Sequence, residues 1–160
     1  SRLYRTLLRQ CGNAAQADEL FQDVWLKVVN ARKGYEVAAK FSTWMFRIAH
    51  NRLIDHYRAQ GRAAMVSYDD DPGDADLVAD LPAAATEQPE RLVERKALAQ
   101  ELVKHIEALP AAQRETFLLS EEGELTLEEI AAATGVNRET AKSRLRYAVN
   151  KLRSALKDLR

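Results

Sequence analysis

Cysteine is almost missing from this 160-residue chain. Cys11 is its only cysteine and cannot form an internal disulfide, and the three histidines (His50, His56 and His105) do not group with it at zinc-ligand spacing. The sequence also lacks a Ser/His/Asp set, a phosphate-cradling glycine loop and carboxylates spaced for a metal. We therefore expect no metal, no cofactor, no small-molecule substrate and no enzymatic activity, and we interpret Cys11 as a packing residue on an apolar helix face.

Long apolar runs are absent too. No segment approaches the roughly 18 consecutive apolar residues of a membrane-spanning helix, and Ser1 to Tyr4 lack the apolar stretch of a secretory signal. Hydrophobic residues still make up 46% of the chain, which is enough to form packed cores. These features predict a globular protein of the cytoplasm that does not insert into a membrane.

Net charge is lacking as well, because 24 Lys and Arg balance 24 Asp and Glu. The charges are nevertheless segregated along the chain. Residues 1–62 hold 11 basic against 5 acidic side chains, residues 63–90 hold none against 8, and residues 91–160 hold 13 against 11. One acidic stretch thus conceals two basic surfaces, and such surfaces are typical of proteins that bind the phosphate backbone of nucleic acids.

Apolar residues recur at helical spacing before the acidic stretch, without the alternation that strands show. The pattern predicts two helices separated at Gly12-Asn13, the second with Trp25 among its apolar positions, and then a loop over residues 32–36. A third helix is predicted from about Phe41, with Ser42 or Thr43 available as its N-cap.

The acidic stretch, residues 63–90, contains several prolines and buries too little apolar surface to offset the entropy of ordering. It is therefore predicted to be a flexible acidic linker. Beyond it, helices are predicted over residues 90–109, 111–120, 126–133 and 137–158. The sequence thus predicts an all-α protein with two small helical domains, residues 1–62 and 91–160, the second carrying a helix-turn-helix.

The helix-turn-helix is the sharpest local signal. Thr126 and Glu129 form a capping-box pattern, Ala131 is small enough for two helices to approach, Gly135 tolerates a left-handed turn, and Asn137 can cap the next helix. That helix would expose polar groups to the major groove and phosphates, or would form an ordinary αα-corner with a solvated basic face. Its exposed side chains would include Arg138, Lys142, Ser143, Arg144 and Arg146.

Residues 41–58 combine aromatic and basic side chains on one predicted helix. Aromatic groups interleaved with positive charge suit single-stranded DNA, because unpaired bases stack while cations follow the backbone. Trp44 and Phe46 at helical spacing are also typical of a buried core, so both interpretations stay open at this point. The basic residues of the segment include Arg47, Arg52 and Arg58.

With these segments in view, the whole chain resembles the extracytoplasmic-function sigma factors of bacterial RNA polymerase. Residues 17–25 are similar to the helix of the family that binds the polymerase clamp, and residues 41–58 are similar to its minus-ten helix. Residues 109–119 resemble the opening of its last domain, and residues 126–153 resemble its minus-thirty-five reader. The resemblance implies a transcription factor that binds core RNA polymerase and promoter DNA and that an anti-sigma factor regulates.

The resemblance also implies roles for individual residues. It assigns polymerase docking to Asp18, Glu19, Gln22 and Asp23. It assigns capture of a flipped minus-ten base, at a cost of a few kcal/mol of stacking, to Asn51 and to the loop that includes Tyr35, Glu36 and Lys40, with Arg47, Arg52 and Arg58 holding the strand. It assigns minus-thirty-five reading to Lys142, Ser143 and Arg144, with Arg138 and Arg146 on phosphates and Tyr147 at a position where the family commonly has Arg.

The sequence departs from the family at a few positions. Besides Tyr147, the family commonly has a β-branched residue where Ala141 stands, and Asp18-Glu19 reverses its usual Glu-Asp order. The first helix of the family usually begins some residues earlier, which implies a trimmed N-terminus. The resemblance also implies that the acidic linker threads the positive channels of the polymerase.

Two other classes of protein are weighed against a sigma factor. A helix-turn-helix repressor or activator that binds duplex DNA without polymerase would leave residues 15–58 unexplained. A helical interaction protein without a DNA role would not explain why positive charge is concentrated on the last helix, where residues 137–160 hold eight Lys and Arg.

Overall fold

The computed structural model describes residues 1–36, 40–69 and 92–158, and within these ranges the chain is all-α, as predicted. The helices are α1 (Arg2–Cys11), α2 (Ala14–Ala31), α3 (Phe41–Gln60), α4 (Arg62–Asp69), α5 (Leu92–Glu107), α6 (Ala111–Glu121), α7 (Leu127–Thr134) and α8 (Arg138–Lys157), with a short 3₁₀ turn at Arg32–Gly34. Among the described residues, no helix is long and apolar enough to cross a membrane. We call α1–α4 the first module and α5–α8 the second module.

The break between α1 and α2 lies where the sequence predicted it. Gly12 adopts a left-handed conformation with φ of +67°, and its N–H donates to the Leu8 carbonyl, which ends α1. Asn13 accepts a hydrogen bond from the Gln16 N–H and caps α2. Cys11 packs against the buried core, and burial raises the pKa of its thiol to about 11, as expected of a packing residue.

The start of α3 differs from the prediction. The helix begins at Phe41, with Lys40 at the N-cap position and no side-chain cap, so neither Ser42 nor Thr43 is the cap. Both lie in the first turn, and the Thr43 hydroxyl donates to a Glu129 carboxylate oxygen at 3.0 Å instead. Tertiary contacts, and not a side-chain N-cap, thus stabilise the start of α3.

Part of the predicted linker is helical. Residues 63–69 belong to α4, which follows a break at Gly61 with φ of +112°. Tyr68 is buried against Tyr57, with ring centroids 5.8 Å apart, so this part of the acidic stretch does bury apolar surface. The rest of the predicted linker, residues 70–90, lies outside the described residues.

Local signals build the second module as predicted. Thr126 and Glu129 form a complete capping box at the start of α7, Gly135 ends it with φ of +72°, and Asn137 accepts from the Thr140 N–H to cap α8. Ala131 is buried on α7, as the close approach of two helices requires. A smaller apolar cluster then joins α5, α6 and α8 around Leu118 and Leu152.

The two modules share one hydrophobic core. Its buried members come from both, including Leu3 and Phe46 of the first module and Leu119 and Ile130 of the second. Helix α3 packs along α7, while α1 packs against α6. We call this packing the closed arrangement. It places the predicted minus-ten helix directly against the helix-turn-helix.

Candidate nucleic-acid and polymerase interface

The residues predicted to dock on polymerase lie along the outer face of α2. Asp18, Glu19 and Gln22 are exposed, and Asp23 is half-buried. The Tyr4 hydroxyl donates to Asp18, and this hydrogen bond raises the pKa of Tyr4. The helix therefore presents a compact acidic and polar surface to solvent.

Asp23 connects that face to the predicted minus-ten helix. One of its carboxylate oxygens accepts from Arg52 Nε at 3.0 Å and lies 2.9 Å from the same guanidinium at Nη2. Arg52 is consequently held against α2, whereas Arg47 and Arg58 stay exposed on α3. Two residues that the sequence assigned to different partners thus form one ion pair.

An apolar outer face on α2 was missed by the sequence reasoning. Trp25 is 38% exposed, Leu26 61% and Val29 48%, although helical spacing had placed Trp25 among the regularly spaced apolar positions of the helix. The buried stripe of α2 is formed by Ala17, Leu20, Val24 and Val28. A second apolar stripe, offset by one residue from the first, was the signal that could have revealed this face.

Three aromatic rings cluster where the minus-ten loop joins α3. The Tyr35 centroid lies 5.0 Å from that of Trp44 and 5.9 Å from that of Phe41, and Phe41 and Trp44 are 6.0 Å apart. Phe46 is instead buried in the core, whereas Phe41 is exposed and Trp44 is half-buried. Of the two interpretations of residues 41–58, the buried core therefore applies to Phe46, and an accessible aromatic surface applies to Phe41 and Trp44. The half-exposed cluster is suited to stacking on unpaired bases.

Asn51 lies away from these rings on an exposed stripe of α3. Ten residues separate it from Phe41, which corresponds to ~15 Å along a helix. Arg47, Asn51 and Arg58 are all exposed and repeat at helical spacing, so they share one face. Glu36 is exposed beside the aromatic cluster. The exposed predicted minus-ten residues therefore extend from the aromatic cluster at the start of α3 along one face towards its end.

Glu129 joins the start of α3 to the helix-turn-helix. Its carboxylate lies 3.1 Å from Lys40 Nζ and 3.0 Å from the Thr43 hydroxyl. Hydrogen bonds from the Thr126 backbone, which has the largest effect, and from the side chains of Lys40, Thr126 and Thr43 lower the pKa of Glu129 to about 2. Lys40, which the sequence assigned to the minus-ten loop, is thus engaged with the second module.

The predicted minus-thirty-five residues occupy the first half of α8. Lys142 and Arg146 are exposed on one face, and Arg138 pairs with Glu128 at 2.7 Å, which lowers the pKa of Glu128. Ser143, Arg144 and Tyr147 are half-buried. The Arg144 guanidinium lies over the ring of Tyr68, 6.0 Å from its centroid.

A buried polar network that the sequence reasoning missed lies between the modules. We call it the interface network: His50 on α3, Tyr68 on α4 and Glu115 on α6. One Glu115 oxygen is 2.5 Å from His50 Nδ1, and the other accepts from the Tyr68 hydroxyl at 3.0 Å. Burial and the Glu115 carboxylate raise the pKa of Tyr68. These residues are far apart in sequence, so no local pattern could have identified them.

Comparison with known proteins connects this geometry to a family. Models of Sigma-70 region 2 and Sigma-70, region 4 match residues 1–63 and 105–154. The chain is 30% identical to the ECF RNA polymerase sigma factor SigE of Mycolicibacterium smegmatis over 97% of its own length. It belongs to the extracytoplasmic-function sigma factors. It spans 57% of that SigE sequence, so it covers little more than half of this relative.

Other extracytoplasmic-function sigma factors are covered more fully. SigK of Mycobacterium tuberculosis is 29% identical over 98% of this chain and 80% of its own length. SigW of Bacillus subtilis is 26% identical, with 99% and 84% covered. A solved structure of the sigma factor RpoE in complex with the anti-sigma factor NepR from Bartonella quintana is also similar, with a TM-score of 0.70, 26% identity, and 97% and 89% of the two chains covered.

The similarity to the RpoE structure concerns both modules at once. Each module holds less than half of this chain, and a rigid superposition of one module alone would leave the other unmatched. A TM-score of 0.70 over 97% of the chain therefore indicates a comparable relative placement of the two modules in that structure.

Proposed function

We propose that this protein binds core RNA polymerase and directs promoter-specific initiation of transcription, while the polymerase performs the chemistry. The observation that carries the proposal is the presence of both sigma regions in one chain, each with an exposed cationic helix. Its site of action would be the cytoplasm, where polymerase and promoter DNA are found. The similarity to SigE, SigK and SigW supports the same role.

Docking on polymerase is assigned to the outer face of α2. Asp18, Glu19 and Gln22 are free of core packing, and the neighbouring Trp25 and Leu26 offer apolar surface that would be buried in a complex. An interface that combines a desolvated apolar centre with a charged rim is the usual design of a specific protein contact. We therefore add Trp25 and Leu26 to the docking residues that the sequence indicated.

Minus-ten recognition is assigned to α3 and the loop before it. The ring cluster of Tyr35, Phe41 and Trp44 would stack on unpaired bases, and Asn51 would contact a flipped base. Arg47 and Arg58 are exposed and would follow the strand, with Lys40 and Glu36 beside the rings. Arg52 would act next to them once it leaves Asp23.

Minus-thirty-five recognition is assigned to the N-terminal half of α8. In a helix-turn-helix this part of the second helix faces the base edges of the major groove. Lys142, Ser143 and Arg144 would read bases there, with Tyr147 one turn further along. Arg138 and Arg146 would hold phosphates, which positions the helix without reading sequence.

Regulation by an anti-sigma factor completes the proposal. The RpoE chain whose structure resembles this one was solved with the anti-sigma factor NepR. The comparable placement of the modules in the two structures supports a similar mode of inhibition. Such a regulator would stabilise the closed arrangement without altering the DNA-binding residues themselves.

Transcription in vitro tests the proposed function most directly. Purified chain and core polymerase are incubated with a promoter library, and initiation should occur at a defined subset of promoters and depend on the chain. A repressor or activator that works without polymerase is the second candidate, favoured if the chain binds duplex DNA tightly but never associates with core polymerase. That result would refute the proposal.

Docking variants locate the polymerase surface. Asp23→Ala should weaken binding to core polymerase, whereas Glu101→Ala, which removes a carboxylate paired with Lys104 on α5 of the second module, should not. Equal affinities for both variants and the unmodified chain would place the docking surface elsewhere.

A further inference from the structure

A polar cavity of about 350 Å³ lies between the ends of several helices. Its walls come from the last turns of α1, α3 and α5 and from the first turns of α2 and α6. None of its lining residues belongs to the surfaces proposed for polymerase or DNA. Its volume falls within the range of small-molecule sites, roughly 300–1,000 Å³. Most of the lining side chains are polar or charged, which favours a charged ligand over an apolar one.

Gln10 supplies an unused hydrogen-bond donor to this cavity. The residue is 4% exposed, and its Oε1 accepts from the Tyr57 hydroxyl and from Arg114 Nε, both at 3.4 Å. These two contacts fix the orientation of the amide. Its Nε2 is buried and has no hydrogen-bond partner among the described residues. A buried donor without an acceptor is costly, so an oxygen atom from a ligand would be favoured at this position.

Positive charge predominates on the cavity walls. Arg9 and Arg114 contribute two guanidinium groups, against one carboxylate from Glu107. Arg114 is anchored, since its Nη1 donates to the Glu107 carbonyl at 2.9 Å. Arg9 is half-buried, and within the described residues no ion pair involves it. Burial lowers the pKa of His56, so this lining imidazole is neutral near pH 7. The cavity thus combines an excess cation with an unused donor.

We propose that the polar cavity binds a small metabolite that carries an oxyanion, either a phosphate or a carboxylate group. Arg9 would pair with the oxyanion, because a guanidinium presents its donors in a planar fork that matches the oxygens of both groups. Gln10 Nε2 would donate to a ligand oxygen. Gln16 and Gln60 would contact the remaining polar part, and Glu107, at the exposed edge, would accept from a ligand hydroxyl or amine.

The position of the cavity gives binding a measurable consequence. Arg9 lies on α1 of the first module and Arg114 on α6 of the second, so a bound oxyanion would contact both modules. A ligand that binds only the folded chain stabilises it in proportion to the logarithm of its concentration above Kd. We therefore expect the melting temperature to rise with ligand concentration.

Titration of the full chain with two probes tests the site. Pyrophosphate represents the phosphate class and citrate the carboxylate class, and sodium chloride at matched ionic strength is the control. Isothermal titration calorimetry should show one molecule of at least one probe bound per chain, and that probe should raise the melting temperature more than the salt does. The probe that binds identifies the class of the oxyanion. If neither probe gives heat or exceeds the effect of salt, the proposal is overturned.

Arg9→Gln separates the cavity from general surface charge. Loss of a charge-assisted pair should raise the Kd of the binding probe about tenfold or more. Arg5→Gln is the matched control, because Arg5 lies one turn earlier on α1, outside the cavity, and pairs with Glu122. Its Kd should stay within about twofold of the unmodified value, as expected for an exposed cation. Equal affinities for the two variants would assign the binding to surface charge and reject the site.

The side-chain amide of Gln10 reports on the cavity directly. Its ¹H–¹⁵N resonances, assigned by through-bond experiments, should move as the probe is added. Gln10→Glu keeps the shape and Oε1 but replaces the donor by an anionic oxygen, so binding should be lost. If that variant does not fold, the Gln10 resonances and Arg9→Gln decide the matter. Resonances that stay in place while the probe binds would locate the ligand elsewhere and overturn the proposal. These measurements use neither polymerase nor promoter, so they decide the site independently of the proposed function.

Discussion

Helices α3 and α8 are both 20 residues long and both carry proposed DNA contacts, yet different forces hold them in place. Helix α3 has no side-chain N-cap and buries large groups such as Phe46, Leu53 and Tyr57. Helix α8 is capped by Asn137 and buries mainly small groups, Ala141 and Ala148, besides Leu152. The first helix is therefore defined by its tertiary packing, and the second largely by local signals and close approach.

The difference between α3 and α8 shows which parts of the molecule stabilise the fold. Most of the stability of a helix in a protein comes from burial of one face, and α3 follows this rule through the core that both modules share. Helix α8 leaves most of its polar face available for a groove of DNA. Changes to α3 should thus affect the whole molecule, while changes to α8 should remain local.

The largest expected effect comes from Phe46→Ala. Phe46 is 2% exposed in the shared core, and truncation of a buried phenylalanine costs about 3–5 kcal/mol of unfolding free energy. Urea denaturation followed by circular dichroism measures the loss. Phe41→Ala, at an exposed position of the same helix, is the control and should cost far less. A loss below about 1 kcal/mol for Phe46→Ala would contradict the role given to packing.

Ala148→Leu tests the close approach of α8. Ala148 is fully buried in the cluster of α5, α6 and α8, and extra methylenes in such a site cost about 1–3 kcal/mol. The same substitution at Ala132, which is exposed on α7, should change stability little. Thermal denaturation of the two variants compares them. Equal melting temperatures would mean that the helices do not meet at Ala148.

Arg144→Ala tests the DNA-facing half of α8. If Arg144 reads a base, its loss should weaken binding to a minus-thirty-five duplex by about 1–3 kcal/mol and relax specificity at one position. Lys151→Ala, further along the same helix, should reduce affinity less and equally for all sequences. Fluorescence anisotropy with matched and mismatched duplexes measures both. Unchanged affinity would remove Arg144 from the reader.

Asn137→Ala tests the local signal that begins α8. Its side chain accepts from the Thr140 N–H at 2.8 Å, and loss of an N-cap costs about 1 kcal/mol. Asn137→Asp should retain most of that stability, since Asp is an equally good cap. Urea denaturation distinguishes the two, and the idea fails if the alanine and aspartate variants unfold together.

The last prediction concerns the response to acid. The folded-state pKa of Glu129 is about 2, below its ordinary value near 4.5, so its stabilising contribution is present above pH 4.5 and is lost as the pH falls towards 2. The stability difference between the unmodified chain and Glu129→Gln should therefore shrink across this range. Denaturation midpoints at several pH values measure it, and a difference that stays constant would contradict the assignment.

The contrast between α3 and α8 also explains what could be predicted from the sequence. Thr126, Glu129, Gly135 and Asn137 act on neighbours three or four residues away, so their pattern indicated the helix-turn-helix and its boundaries correctly. The start of α3 depends on packing against α7, and the sequence suggested a cap that the structure does not use. Interactions between residues close in sequence can be predicted from the sequence, whereas the distant residue that a side chain contacts cannot.

The same distinction between local and distant interactions applies to the candidate site. Exposure of Asp18, Glu19, Lys142 and Arg146 followed from helical spacing, because polar residues on one face of an amphipathic helix lie outward. The pairing of Asp23 with Arg52, and the burial of Tyr68 within an acidic stretch, required the fold. Composition averaged over residues 63–90 concealed one aromatic residue that packs in the core.

The Asp23–Arg52 pair has a consequence for the order of events during initiation. Both contacts of the Arg52 guanidinium fall on the same Asp23 oxygen, Oδ2, so a polymerase cation that took this oxygen in the proposed complex would displace Arg52. The displaced guanidinium would then become available at the surface proposed to meet the melted strand. Attachment to the enzyme would in this way prepare the helix for the unpaired strand, and DNA capture would follow recruitment.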